Sequence, residues 1–399
     1  MKMKLDIKSK NYLHVLETIK SKNHKARLVG GVVRDAIFGI ESKDVDIITT
    51  MLPEEITRVF EELGHKVIPT GIKHGTVSIL YNNELFEITT LRKDISSDGR
   101  HSEVEFTGDF HVDALRRDFT INALSYCPFE ETVYDYFNGI EHLKLGCVKF
   151  IGNPESRIQE DYLRILRFFR FYGKFGKIID KDSLDACIKY RSSIKKLSRE
   201  RIKSELDSIL NLPNYFDVIR LMNDHSILQE VFPISTIDIE KFTKANDIAN
   251  IFGVLLNIKT KYALLFELSG IVISHTDLIN LKFTRKESSH INKLLSIKIK
   301  HSNIDDEFLK KIWHCNDDFE QIFVFLSTMS NDKENEIIAK VFLQLQKKQK
   351  QVFPLNGNDI KDLGVVNTEI KNELDYLQHK WIQSNFELTK HELIKLLRQ

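Results

Sequence analysis

Two neighbouring runs hold residues whose types and spacing suit phosphate chemistry. In Leu28-Val29-Gly30-Gly31-Val32-Val33-Arg34-Asp35 an apolar stretch ends at two glycines, and an amphipathic run to Phe38 follows. Backbone N–H groups at such a turn and helix start lack intrahelical acceptors, so Gly30 and Gly31 are candidates to cradle phosphate oxygens. The second run, Asp44-Val45-Asp46-Ile47-Ile48, sets aspartates at i and i+2 in an extended apolar segment. Strand alternation turns both carboxylates to one face, and paired hard oxygens are ligands that Mg²⁺ prefers. A phosphate cradle beside a divalent-metal site is the equipment of nucleotidyl transfer.

These residues need a rigid scaffold, and the surrounding pattern supplies one. Residues 11 to 21 predict a short amphipathic helix leading into the glycine-ended strand. Pro53-Glu54-Glu55 starts a helix that runs to about Gly64, with proline and acids in its first turn. Three strand-like runs follow: His65 to Pro69, Gly75 to Tyr81 and Leu85 to Leu91, the last two joined by Asn82-Asn83 as a hairpin turn. Alternating β and α to residue 91 predicts a small α+β sheet domain with the carboxylates at its edge.

Glu87 lies in the last of these strands, as a third carboxylate for the aspartate pair or as an outward glutamate on a half-buried strand. Residues 92 to 111 lose apolar periodicity and read as a long polar loop beside the site. In Arg116-Arg117-Asp118-Phe119-Thr120-Ile121-Asn122-Ala123 the arginines offer bidentate partners for a triphosphate, and Asp118 can accept from ribose hydroxyls. Alone, that cluster also fits a charged surface. After Pro154 a helix is predicted through Glu160-Asp161-Tyr162-Leu163-Arg164-Ile165-Leu166-Arg167. At about 100° per residue, Glu160, Asp161, Arg164 and Arg167 share one face. That face is either solvated and salt-bridged, or Asp161 and Arg164 mimic the pairing edge of a base and choose C or A without a template.

In this order and spacing the motifs closely resemble the signature of the class II nucleotidyltransferases, the family of CCA-adding tRNA nucleotidyltransferases and bacterial poly(A) polymerases. The resemblance spans residues 25 to 206 in five ordered motifs, including Asp135-Tyr136-Phe137-Asn138-Gly139 and Ser198-Arg199-Glu200-Arg201-Ile202. It implies a polymerase-beta-like nucleotidyltransferase head with a small mixed sheet, then an all-α neck, body and tail. It further implies two Mg²⁺ ions at Asp44 and Asp46, with Glu87 catalytic. Nucleotide-binding residues would be Gly30, Gly31, Arg34, Arg117, Asp118, Asn122, Asp161 and Arg164, with Arg167 in support. The polar loop would help switch nucleotide choice, and the fifth motif would brace the neck. Its substrates would be ATP, CTP and tRNA, gripped at the acceptor arm and elbow. Poly(A) polymerase and A-only or CC-only tRNA enzymes share these motifs and are the nearest alternatives. A non-catalytic RNA-binding protein would be expected to lose the aspartates, and these are intact.

The expected domains are a catalytic head over 1–140, a base-selecting neck over 141–206 and an all-α body and tail over 207–399. Lysine-rich stretches at 282–301 and 346–351 would track an RNA backbone if they share a face with Arg157, Lys195 and Lys196, and are otherwise solvated helix faces. The tail departs from relatives at Gly364-Val365-Val366-Asn367, and the chain ends without the basic extension of bacterial poly(A) polymerases. With 58 basic and 57 acidic residues the net charge of +1 excludes no nucleic-acid partner, because local patches decide binding. Four cysteines without a C-x-x-C pair fit reduced thiols. The apolar region 248–274 is broken by Lys259, Lys261 and Glu267, short of the roughly 18 apolar residues of a membrane span, and the N-terminus has no signal-peptide core. A cytoplasmic protein is expected.

Overall fold

The structure, a computed structural model, describes residues 1–42, 44–97, 102–300, 304–366 and 368–397. It divides into two compact units, Met1–Pro233 and Ile234–Gln399. That boundary lies beyond the neck limit read at residue 206. The intervening helices pack with the neck through hydrophobic residues such as Val218 and Met222, both fully buried.

The first unit opens with α1 (Asn11–Ser21), β1 (Ala26–Val29), α2 (Gly31–Phe38), β2 (Val45–Thr49) and α3 (Pro53–Glu62). Then come β3 (Lys66–Gly71), β4 (Thr76–Tyr81) and β5 (Glu84–Thr90). Asn82 and Asn83 both take positive φ, 49° and 62°, as a tight β4–β5 turn requires. The polar stretch after β5 is not an irregular loop. It forms a two-stranded ribbon, β6 (Arg92–Ser97) with β7 (Ser102–Phe106), and α4 (Phe110–Leu115) follows. Backbone pairing without an apolar face is what the periodicity could not reveal; residues 98–101 lie outside the described residues. β8 (Ser125–Cys127) and β9 (Thr132–Tyr134) complete a seven-stranded sheet of order β3-β4-β5-β2-β1-β8-β9. Its β2–β5 pair is parallel and its other pairs are antiparallel.

The helices cover one sheet face. Val15, Leu16 and Ile19 of α1, Val32 and Val33 of α2, and Ile56 and Phe60 of α3 bury Ile47, Val77, Ile79, Phe86 and Ile88. Residues that alternate with these, Asp46 and Glu87 among them, face the other side. The chain continues through α5 (Gly139–Leu145), α6 (Pro154–Glu160), α7 (Leu163–Phe175), α8 (Lys181–Tyr190), α9 (Arg199–Leu210), α10 (Tyr215–Asp224) and α11 (Leu228–Val231).

The second unit is helical among its described residues, from α12 (Ile239–Phe252) to a final helix at Lys390–Leu397. Its core includes Phe242, Tyr262, Phe266, Trp313, Phe323 and Trp381. Of the lysine-rich stretch at 282–301, residues 285–300 are one helix whose Lys293 pairs with Asp318 at 3.2 Å, while His301 lies outside the described residues. In the 346–351 stretch Lys350 pairs with Asp317 at 3.1 Å. Asn367 is also outside the described residues.

Candidate active site

Asp46 sits in β2, and its register partner in β5 is Glu87, so the two carboxylates stand side by side on the open sheet face. Asp44 precedes the strand by one residue and is exposed, as is Glu87. Burial, then the nearby Glu87 and Asp44 charges, push the Asp46 carboxyl up from 3.8 to about 6, against the pull of Arg117. Crowded carboxylates held beside one arginine are a place where a divalent cation would relieve repulsion. Among the described residues no three acidic, histidine or cysteine side chains already form a closed metal cage. Mg²⁺ does not need one, since it binds through one or two carboxylates plus water and substrate phosphates. The residues therefore fit the ion.

The glycine turn stands beside this cluster. Gly30 has φ +71°, and a β-carbon on it would lie 3.4 Å from Arg117 Nη1 and 3.8 Å from the Asn122 carbonyl. Its N–H donates to the Leu124 carbonyl (3.0 Å), so Gly30 shapes the turn and ties it to β8 without offering a free amide. The first intrahelical bond runs from the Arg34 N–H to the Gly30 carbonyl (3.0 Å), which leaves Gly31, Val32 and Val33 as the amides without an intrahelical acceptor.

Arg34 is not an open cation here. It is 6 % exposed, donates to Asp35 at 2.7 and 2.8 Å and to Asn122 Oδ1, and lies against the rings of Phe171 and Phe175. Lys174 closes the group by pairing with Asp35 at 3.0 Å.

Arg117 and Arg116 share Asp113, a wholly buried acid that the sequence reading did not single out. Asp113 also accepts the Arg92 N–H at 3.3 Å. Burial acts to raise its pKa, yet Arg117 and Arg116 hold it below the ordinary carboxylate range. The sequence signal was an acid three and four residues ahead of Arg-Arg on one helix. Asp118 is buried too, and accepts from the Phe119 N–H (2.8 Å), Asn122 Nδ2 (2.9 Å) and Arg167 Nε (2.7 Å). Burial opposes its ionisation, but Arg167 and these donors keep its pKa low. The turn is braced from behind: Asp135 caps Gly139 and Ile140 at 2.8 and 2.9 Å, and a β-carbon at Gly139 would lie 2.3 Å from the Thr120 carbonyl.

The predicted single helix carrying Asp161 and Arg164 is two helices. Asp161, at φ −155° and ψ 108°, is the break between α6 and α7. Its carboxylate accepts the Leu163 N–H (3.1 Å) and pairs with Arg201 of α9 at 2.7 Å. The two residues therefore do not share a helical face as expected, because capping and a distant arginine override the helical period. Arg164 donates to Glu160 (2.6 Å) and to the carbonyls of Arg157 (2.9 Å) and Arg116 (3.2 Å). Arg167 joins Asp118 to Glu205 of α9, at 2.7 and 3.8 Å, and Arg170 also pairs with Glu205 at 2.6 Å. Arg201 and Glu205 thus contribute partners that the sequence reading gave only a bracing role.

The basic track does not include Arg157. Its side chain is 14 % exposed and donates to Glu160 (2.8 Å) and the Arg117 carbonyl (3.0 Å), so it holds the turn from inside. Lys195 and Lys196 are exposed; Lys195 pairs with Glu230 at 2.7 Å, and the Lys196 ammonium lies 5.0 Å from the Tyr162 ring centroid.

Comparison with known proteins agrees with this geometry. Residues 26–149 match the family described as Poly A polymerase head domain, and 178–236 match the probable RNA and SrmB-binding site of polymerase A. The chain is 33 % identical over 403 residues to a mouse protein named CCA tRNA nucleotidyltransferase 1, mitochondrial, covering 96 % of this chain and 88 % of that one. It is 28 % identical over 367 residues to a CCA-adding enzyme of Staphylococcus saprophyticus, covering 88 % and 87 %. The fold matches the Bacillus stearothermophilus CCA-adding enzyme crystallised with CTP, at TM-score 0.73 and 24 % identity over 97 % of both chains. It also matches the Thermotoga maritima enzyme complexed with tRNA, at TM-score 0.74 and 19 % identity over 98 % and 96 %. No described helix is long and apolar enough to cross a membrane, and because relatives include mitochondrial proteins, kinship does not carry the cytoplasmic expectation. The chain belongs to the CCA tRNA nucleotidyltransferase family.

Proposed function

We propose that this enzyme builds or repairs the 3′-terminal CCA of tRNA from CTP and ATP, without a nucleic-acid template. The observation that carries the reading is the Asp46–Glu87 register pair with Asp44, set beside the Gly30/Arg117 turn on one face of the head. Relatives covering nearly the whole chain are named for CCA chemistry, which favours this reading over poly(A) synthesis, a name carried only by the two domain families at 26–149 and 178–236.

Two Mg²⁺ ions held by Asp44 and Asp46 would supply a lowered pKa for the primer 3′-hydroxyl and charge neutralisation for the triphosphate. The 3′ oxygen bonds to the α-phosphorus as the bond to the β-phosphate breaks, and pyrophosphate leaves. The Gly31 turn and Arg117 hold phosphate oxygens, Asp118 and Asn122 orient the ribose, and Glu87 sets the charge around Asp46. Asp161 and Arg164 present acceptor and donor to the base edge, with Arg167 fixing Asp118. Lys195 and Lys196 meet the RNA backbone. Head over 1–140, neck over 141–206 and RNA-binding helices beyond remain the working division, with the acceptor arm at the head and the tRNA elbow in the helical half.

The test is extension of three tRNA transcripts, ending before the CCA, after the first C and after CC, each with Mg²⁺ and CTP, ATP or both. Addition of C, C and A that then stops supports the proposal. Long A-tracts on an unstructured RNA would assign poly(A) synthesis, and addition restricted to A or to C would assign a split system. No incorporation by wild type, with Asp44→Ala indistinguishable from it, would leave only RNA binding.

A further inference from the structure

On the helix-covered side of the sheet, away from the carboxylates, two histidines meet ring nitrogen to ring nitrogen. His14 comes from α1 and His65 from the turn between α3 and β3, and their Nε2 atoms are 3.4 Å apart. Both are half-buried. His14 stacks on Tyr81 at 4.4 Å and 18°, while His65 meets the same ring edge-on at 5.3 Å and 86°. Phe60 lies 6.0 Å from the His65 ring. Tyr81 alternates with Ile79 and Val77 and so shares their face, opposite Asp46 and Glu87.

The separation is compatible with a tautomer-dependent hydrogen bond and with a shared ion. A hydrogen bond from N–H favours a donor–acceptor distance of about 2.7–3.2 Å, so 3.4 Å is long for one imidazole donating to the other. Two nitrogens bound to one tetrahedral ion by bonds of about 2.0–2.1 Å lie about 3.3–3.4 Å apart, which is twice the bond length times the sine of half the tetrahedral angle. The aromatic walls hold both rings in place, so little side-chain freedom remains to be lost on binding. Imidazole nitrogen suits zinc, copper and nickel, whereas Mg²⁺ prefers oxygen. Among the described residues no third histidine, cysteine or carboxylate completes a group with this pair, so water fills the remaining positions.

We propose that His14 and His65 form a two-histidine site for a divalent transition-metal ion of the zinc class, which would clamp α1 to the start of β3. The site is independent of the catalytic assignment and lies on the other face of the sheet from it.

The test is calorimetric titration of the full chain with zinc chloride in excess Mg²⁺, which masks the carboxylates. One equivalent is expected to bind in the micromolar range, and His14→Gln and His65→Gln should each weaken it at least about tenfold. Zinc at about ten times its dissociation constant should raise the wild-type melting midpoint by roughly 3–6 °C and each variant's by no more than about a third of that. A readout that needs no variant is the electron paramagnetic resonance of bound Cu²⁺, whose superhyperfine splitting should count two nitrogens. Absence of saturable micromolar uptake, equal binding by wild type and both variants, or a single-nitrogen or nitrogen-free spectrum would each overturn the site.

Discussion

Replacing Asp46 by Asn should stabilise the metal-free protein while abolishing its catalysis. The Asp46 carboxyl is raised from 3.8 to about 6, first by burial and then by Glu87 and Asp44. Roughly two units at about 1.4 kcal/mol each make ionising Asp46 about 3 kcal/mol costlier in the folded state than in the unfolded chain. The folded state therefore binds this proton more tightly than the unfolded chain does. The penalty is absent well below the unfolded value, grows as pH rises from about 4 through about 6, and is complete above that. Asparagine carries no charge, so the variant should gain about 1–3 kcal/mol near pH 7.5 after allowance for screening, and almost nothing near pH 4. Urea unfolding with chelator present measures this by far-ultraviolet circular dichroism. Trp313 and Trp381, the chain's two tryptophans, both lie in the second unit, so tryptophan fluorescence provides an internal reference. Mg²⁺ should stabilise wild type and not the variant. A variant no more stable than wild type near neutral pH, or one whose advantage persists unchanged near pH 4, would refute the reasoning.

Glu87→Gln removes one of the charges that raise Asp46, so the acid limb of the pH–rate profile should move to lower pH by a fraction of a unit. An unmoved limb would mean that Glu87 does not act on Asp46. Arg167→Met leaves the buried Asp118 carboxylate without its bidentate partner and should destabilise the first unit by about 3–5 kcal/mol, read by urea unfolding. In the same variant KM for nucleotide should rise, and an unchanged KM would detach Asp118 from the nucleotide. Gly139→Ala forces a β-carbon to 2.3 Å from the Thr120 carbonyl, so the turn bearing Asp118 and Asn122 must shift. A loss of about 1–3 kcal/mol together with most activity is expected, and full activity would show that the turn relaxes without moving the site.

Local signals were readable where one segment settles its own structure. Proline and acids start α3, two asparagines that tolerate positive φ join β4 to β5, and the extended apolar run after Asp44 forms β2 with Asp46 in it. Glu87 was legible as a possible third carboxylate for the aspartate pair, but its register opposite Asp46 was not, because parallel pairing joins residues far apart in sequence. The break at Asp161 was hidden for a related reason. Helical spacing runs through it, and what ends α6 is the capped Leu163 amide and Arg201, a partner from another helix. Asp113 was not singled out, because only its burial shows that Arg116, Arg117 and the Arg92 N–H gather at it. The β6–β7 ribbon has no apolar alternation, so its polar residues read as loop.

The parallel seam between β2 and β5 also bears on how the head is made. The β3-β4-β5 meander and the β1–β2 pair each form from strands adjacent in sequence, whereas the seam needs a crossover that spans a helix and two strands. Contacts of that kind pay their loop-closure entropy before they return any pairing, which places them late in assembly. Asp46 and Glu87 thus become neighbours, and begin to repel, only as the two halves of the sheet are zipped together. A head whose seam has not yet closed holds no paired carboxylates with which to misuse nucleotides.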